Sequence, residues 1–196
     1  MGIESGSFES GIWLNEPASW RREGDALHVV TDRATDFWRE THYGFTRDTG
    51  HFLGATTPGD FTAQLRVRAQ YRELYDQAGL MVRVSSHAWV KAGIEWSDGL
   101  PMIGSVLTVD RSDWATAPYG HDPGDFWLRA TVAAGVLRLQ VSADGRHWPL
   151  MRLCPFPAGP YSVGPMCCTP ERAGLSVAFS DLTIGAPMGK ALHDLS

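Results

Sequence analysis

Apolar and polar positions alternate with a period of two along most of this chain, as strands with one face in a core and one in water require. The cleanest run is Phe61–Ala69, where Phe61, Ala63, Leu65, Val67 and Ala69 oppose Thr62, Gln64, Arg66 and Arg68, with the two arginines expected toward solvent. Further strands are expected at 26–31 after the Gly24-Asp25 turn, at 105–109, at 126–132 and at Val136–Ser142. In the third of these, Phe126, Leu128, Ala130 and Val132 form one face against Trp127, Arg129 and Thr131. Asp144-Gly145 predicts a tight hairpin turn leading into Trp148 and Leu150. Segments 175–179 and 182–184 close the set. No helical period is visible, and 21 glycines and 12 prolines cut the chain into short pieces. The pattern predicts an all-β sandwich of two antiparallel sheets in the manner of a jelly roll.

The stretch 74–99, LYDQAGLMVRVSSHAWVKAGIEWSDG, reads as a hairpin whose two faces differ in chemistry. With Val84 opposite Val90, the next pairs are Val82 with Ala92, Leu80 with Ile94 and Ala78 with Trp96, an apolar face. The other face then pairs Arg83 with Lys91, Met81 with Gly93, Gly79 with Glu95 and Gln77 with Ser97, with Trp89 beside Ser85. A slip of one residue would push Lys91 and Glu95 into the core, so burial selects these faces. Glycine in a strand often marks close approach by a ligand or another backbone. Gly79 and Gly93 therefore suggest a bare floor rimmed by Gln77, Arg83, Lys91 and Glu95, against the plainer reading of a solvated sheet face. Trp127 and Arg129 are expected to line the same groove from another strand.

The chain has 196 residues, 43% hydrophobic and 20% charged, which suits one globular domain over 1–185 with a C-terminal tail at 186–196. No apolar run reaches the ~20 residues of a membrane span. A net charge of -5 without a Lys/Arg cluster offers nothing to nucleic acid. The start, MGIESGSFESGIWLNEP, does not read as a secretory signal, so a cytoplasmic location is expected. Three cysteines, Cys154, Cys167 and Cys168, suit a reducing compartment; on a strand, one of the adjacent pair faces inward and the other outward. His42, His51, His87 and His121 fall in expected loops at no ligand spacing, there is no Cys-x-x-Cys, and neither a metal nor a cofactor is expected.

Eight ordered blocks carry a resemblance: WLNEPASW from Trp13, TDFWRET from Thr35, LYDQAGLMVR from Leu74, WVKAGIEWSDG from Trp89, SVLTVDRSDW from Ser105, FWLRA from Phe126, VSADGRHW from Val141 and VGPMCCTP from Val163. They resemble a family of unknown function in the concanavalin A-like lectin and glucanase group, the one that includes regulation of enolase protein 1. The resemblance implies a concanavalin A-like sandwich with a sugar-type groove, and no established reaction.

Retaining glucanases of that wider group alternate two glutamates and an aspartate on one strand, with nucleophile and general acid about 5 Å apart. Here the run is Glu95-Trp96-Ser97-Asp98, which puts Asp98 off the groove face, so simple retaining hydrolysis is disfavoured. A loop carboxylate such as Asp36, Asp76 or Asp113 would restore an inverting arrangement. Glu95 and Lys91 share the groove face and suggest a base with an electrostatic partner, fit for an isomerase, lyase, cyclase or glycosidase; a structural ion pair is the bland alternative. Trp96, Phe126, Phe61 and Phe179 are expected in the core. Trp89, Trp127, Trp38 and Trp114 sit beside polar residues where a ring can stack on a ligand, Trp89 or Trp127 being preferred and Trp38 and Trp114 reading equally as loop plugs. The leading expectation is a carbohydrate or sugar-like small molecule held by Gln77, Arg83, Trp89, Lys91, Glu95, Trp127, Arg129 and Trp38. The alternatives are a small-molecule enzyme using Glu95 and Lys91, and a regulatory protein that binds a metabolic enzyme.

Overall fold

The structure is a computed structural model and describes residues 8–196; residues 1–7, part of the N-terminal stretch read for a signal and of the expected domain, lie outside the described residues. A 3-10 turn at Phe8–Ser10 precedes strands β1 (Ile12–Leu14), β2 (Ser19–Glu23), β3 (Ala26–Val30), β4 (Phe37–Arg39), β5 (Thr46–Asp48), β6 (His51–Thr57) and β7 (Phe61–Ala69). There follow β8 (Gln77–Ser85), β9 (Ala88–Ser97), β10 (Leu100–Val109), β11 (Arg111–Pro118) and β12 (Asp125–Ala133). The last are β13 (Val136–Ser142), β14 (Leu150–Pro155), β15 (Tyr161–Cys168) and β16 (Ser176–Gly185). The first sheet has the order β1-β6-β15-β8-β9-β10-β11 and the second β14-β13-β12-β7-β16-β3-β2, while β4 and β5 form a separate ribbon.

The two sheets pack face to face through the residues that alternation marks as apolar. Ala78, Leu80, Val82, Val90, Ala92 and Ile94 meet Phe61, Leu65, Val67, Phe126, Leu128 and Val132, each at most 2% exposed. Burying a large apolar side chain this fully contributes roughly 1.5 to 3 kcal/mol. The expected all-β sandwich is therefore the fold. No helix among the described residues is long and apolar enough to cross a membrane.

Local departures have local causes. The β8–β9 pairing runs Gln77 with Glu95, Gly79 with Gly93, Met81 with Lys91 and Arg83 with Trp89, two residues from the expected register. The chain turns tightly at Ser86-His87, where His87 N donates to Ser85 Oγ, and a bulge at Val84 absorbs the difference. A shift of two preserves the faces, so the apolar and polar sets stand as expected. From Ser176 on, the segments 175–179 and 182–184 belong to one strand, β16, bulged where Asp181 takes φ 54. The 142–150 connection is not a tight hairpin: Asp144 Oδ1 accepts from Arg146 N and His147 N and holds a wider loop in which Trp148 is 1% exposed. Residues 186–196 lie against the second sheet, with Trp148 N donating to Leu195 O and Met188 N to Thr62 Oγ1.

Candidate functional site

The outer face of the first sheet carries a second, smaller apolar cluster of Phe37, Trp38, Phe52, Met81, Trp89, Val106, Met166 and Cys168. The ribbon β4–β5 supplies its cover. Phe37 packs over Trp89 at 6.0 Å, which leaves Trp89 1% exposed. Arg83 clamps the ribbon from below, its Nη1 and Nη2 donating to the Asp48 carboxylate at 2.9 and 2.7 Å. From the side, Arg39 N donates to Ser112 Oγ at 2.9 Å.

Between ribbon and sheet lies a pocket of about 160 Å³, bounded by Asp36, Trp38, Tyr43, Phe45, Arg47, Tyr75, Gln77, Lys91, Glu95, Val106, Trp114, Pro170 and Glu171. Its walls are aromatic: Trp38 stands edge-on to Trp114 at 6.4 Å and to Tyr43 at 5.6 Å, and Tyr43 stacks on Phe45 at 5.4 Å. A water-sized recess of about 20 Å³ continues over Gly93 and Gly104. Gly79, Gly93 and Gly104 form one cross-strand row. Here glycine answers first to the neighbouring backbone: a Cβ on Gly79 would lie 1.8 Å from Ala92 O, and one on Gly93 2.1 Å from Ala78 O.

The polar floor is a network around Lys91, which is 4% exposed. Its Nζ donates to Gln77 Oε1 at 2.7 Å and to Asp36 Oδ1 at 3.1 Å, and Asp36 Oδ1 also accepts from Phe37 N at 2.8 Å. Burial acts to discharge the ammonium, but the field of Asp36 and its hydrogen bond, with a contribution from Glu95, outweigh it and raise the Lys91 pKa. Glu95 is different. Its Oε1 is buried with no hydrogen-bond partner, and burial raises its pKa to about 7, against the pull of Lys91 and with a further push from Asp36 and Asp98. Tyr75, at φ 62, brings its hydroxyl to 3.3 Å from that of Tyr43 at the mouth. The loop before β8 is held by Asp76, which accepts from Arg72 N and Glu73 N and from the Arg172 guanidinium.

Gln77, Lys91, Glu95 and Trp38 thus line one pocket. Other expected site residues stand elsewhere. Lys91 and Glu95 are four residues apart, roughly 13 Å along the strand, and the ammonium bonds to Asp36 instead of forming the expected pair. Trp89 is interior to the outer cluster and Arg83 is spent on Asp48. Trp127 and Arg129 are on β12 in the second sheet, across the sandwich, because β12 pairs with β7 and β13. Of the loop carboxylates, Asp36 reaches the pocket, Asp76 is sealed by Arg172, and Asp113 pairs with Arg152. Cys167 faces the core between the sheets and Cys168 the outer cluster, where burial pushes its thiol far up and leaves it no nucleophile. The sequence reading missed Tyr43, Phe45, Arg47, Tyr75 and Glu171; the aromatic run His42-Tyr43-Gly44-Phe45 beside Trp38 was the available signal.

Comparison with known proteins places this geometry in context. The model of a family described as "Protein of unknown function (DUF1349)" matches residues 13–187. Regulation of enolase protein 1 of Saccharomyces cerevisiae is 59% identical over 197 residues, covering 99% of this chain and 100% of that protein. A crystal structure of a functionally unknown protein from Saccharomyces cerevisiae superposes with a TM-score of 0.92 at 57% identity, over 94% of this chain and 100% of that one. A GH43 protein, BlXynB, from Bacillus licheniformis shares the fold alone, with a TM-score of 0.65 at 15% identity over 91% of this chain and 37% of that one.

Proposed function

The chain belongs to the DUF1349 family of proteins of unknown function, and on that premise we propose that its pocket binds one small polyhydroxylated molecule, a carbohydrate or sugar-like metabolite. One observation carries the reading: Glu95 Oε1 is buried and unpartnered in a pocket it shares with Lys91. An ammonium has three N–H groups, and Lys91 uses two on Gln77 and Asp36. A buried acceptor without a donor is costly by about 1 to 3 kcal/mol. An alcohol both donates and accepts, so separate hydroxyls of one polyhydroxylated ligand would satisfy Glu95 and Lys91. The edge-on Trp38 and Trp114 offer apolar surface for the ring faces of such a molecule. The volume suits one ring rather than a chain of them.

Two alternatives remain attached to the same pocket. A glutamate whose pKa is about 7 near Asp36 and Lys91 is suited to take up and return a proton, which supports turnover of the ligand. The name of the relative from Saccharomyces cerevisiae supports a regulatory role toward a metabolic enzyme, with the pocket as its sensor.

A thermal-shift and calorimetric panel of monosaccharides, polyols and hydroxy acids, on wild type and Glu95→Gln, separates these readings. Binding reads out as stabilisation, about 2.7 kcal/mol at a hundredfold excess over Kd. The expected result is a monosaccharide-sized hit that Glu95→Gln weakens at least tenfold. A hit bound equally by Glu95→Gln, or no hit at all, sinks the proposal. Product analysis of the same samples tests turnover, and addition of purified enolase tests the regulatory role.

A further inference from the structure

The ribbon brings to the pocket a charge that its floor does not use. Trp38 on β4 and Arg47 on β5 are cross-strand partners, and both line the pocket. Arg47 is half-buried, with its guanidinium 4.5 Å over the Phe45 ring, which itself stacks on Tyr43. Stacking of this kind orients the guanidinium and leaves its N–H edge free to donate. Among the described residues, nothing accepts from that edge. The carboxylate next in the chain, Asp48, is taken by Arg83, and no other lies within ion-pair distance of Arg47.

Three acidic groups share the wall and do not cancel this charge. Asp36 is taken up by Lys91 Nζ and Phe37 N. Glu95 is pushed toward its neutral form by burial, with a pKa of about 7. Glu171 is exposed to water and, among the described residues, pairs with no cation. Of the two cations on the wall, Lys91 is committed to Asp36 and Gln77, and Arg47 is not.

Resting on the reading of this pocket as a sugar site, we propose that its ligand is a sugar acid, a monosaccharide-sized polyol with one carboxylate, and that Arg47 selects it through that carboxylate. The planar guanidinium fork matches a carboxylate in two parallel N–H···O bonds, which are about twice as strong as those between neutral groups. A phosphate fits the fork as well, but it brings roughly 1.5 to 2 negative charges toward Asp36, Glu95 and Glu171. A single charge suits a wall of this composition better. The hydroxyls remain for Glu95 and Lys91, with the ring against Trp38 and Trp114.

Calorimetry on the full chain tests this by comparing glucuronate, galacturonate and gluconate with glucose, galactose and sorbitol at equal ionic strength, with a glucose phosphate as a further arm. At least one acid should bind about tenfold or more tighter than its neutral counterpart. Arg47→Gln, folded by circular dichroism, should lose that preference, and Arg47→Lys, which keeps the charge without the fork, should retain part of it. Acids bound no tighter than neutral sugars, a preference that survives Arg47→Gln, or glucose phosphate bound as tightly as the acids overturns the assignment to a sugar acid and leaves the pocket a sugar site. If none of these compounds binds, the sugar reading itself falls and the assignment with it.

Discussion

Glu95 and Lys91 occupy one face of one strand and have opposite electrostatic fates, because each answers to the group brought against it. Lys91 gains Asp36 and Gln77 and stays charged; Glu95 gains burial and an empty acceptor, and its pKa rises from 4.5 to about 7. The sign of the consequence follows from linkage. The folded state holds the proton more tightly than the unfolded chain, so this group's favourable contribution is complete below pH 4.5 and is lost as pH climbs through 7. The difference in unfolding free energy between wild type and Glu95→Gln should therefore shift against wild type by about 2 to 3 kcal/mol over that interval. Urea unfolding of both proteins across pH 4 to 8 measures it. A flat difference would mean that Glu95 titrates as it does in the unfolded chain. The sequence named Glu95 and Lys91 through period-two alternation, but the carboxylate that holds Lys91, Asp36, comes from a loop 55 positions away, beyond any local pattern.

At the scale of elements, the ribbon β4–β5 makes the pocket, and the glycine row lets the sheet beneath it close. Strand alternation marked the polar face of β8 and β9 as unusual on account of Met81, Trp89 and two glycines. Met81 and Trp89 proved to be the underside of a second apolar layer, because Phe37 and Trp38 descend onto them. Gly79 and Gly93 proved to be mutual neighbours whose missing side chains let their backbones approach. Gly93→Ala should therefore destabilise by at least 3 kcal/mol, since its Cβ meets backbone and not a movable side chain. Gly59→Ala, with nothing within 4 Å of the added methyl, should stay within about 0.5 kcal/mol of wild type. Thermal unfolding of the two variants side by side checks both. A mild Gly93→Ala would put the glycines back in the service of a ligand.

The whole molecule is a sandwich whose aromatic pocket lies on the outer face of one sheet, with the buried arginines Arg129 and Arg138 under the C-terminal segment on the other. Asp36→Asn removes the anion beside the buried Lys91 ammonium and should cost about 3 kcal/mol. Combined with Arg138→Gln, its effect should add to within about 0.5 kcal/mol, because the two sites share no contact. A coupling above 1 kcal/mol in the double-mutant cycle would reveal communication through the core. The sequence by itself determined the all-β class, the inward and outward faces of β7, β8, β9, β12 and β13, and the core, because alternation is a property of one strand and burial enforces it. The tertiary structure alone decided which outward faces share a surface. Trp127-Leu128-Arg129 and Trp89-Val90-Lys91 carry the same signature of polar and aromatic positions, and nothing local says that strand order sends them to opposite sheets. The pocket, too, depends on where a short ribbon after Thr35 lands, which long-range contacts fix: Arg83 with Asp48, Arg39 with Ser112, and Asp36 with Lys91.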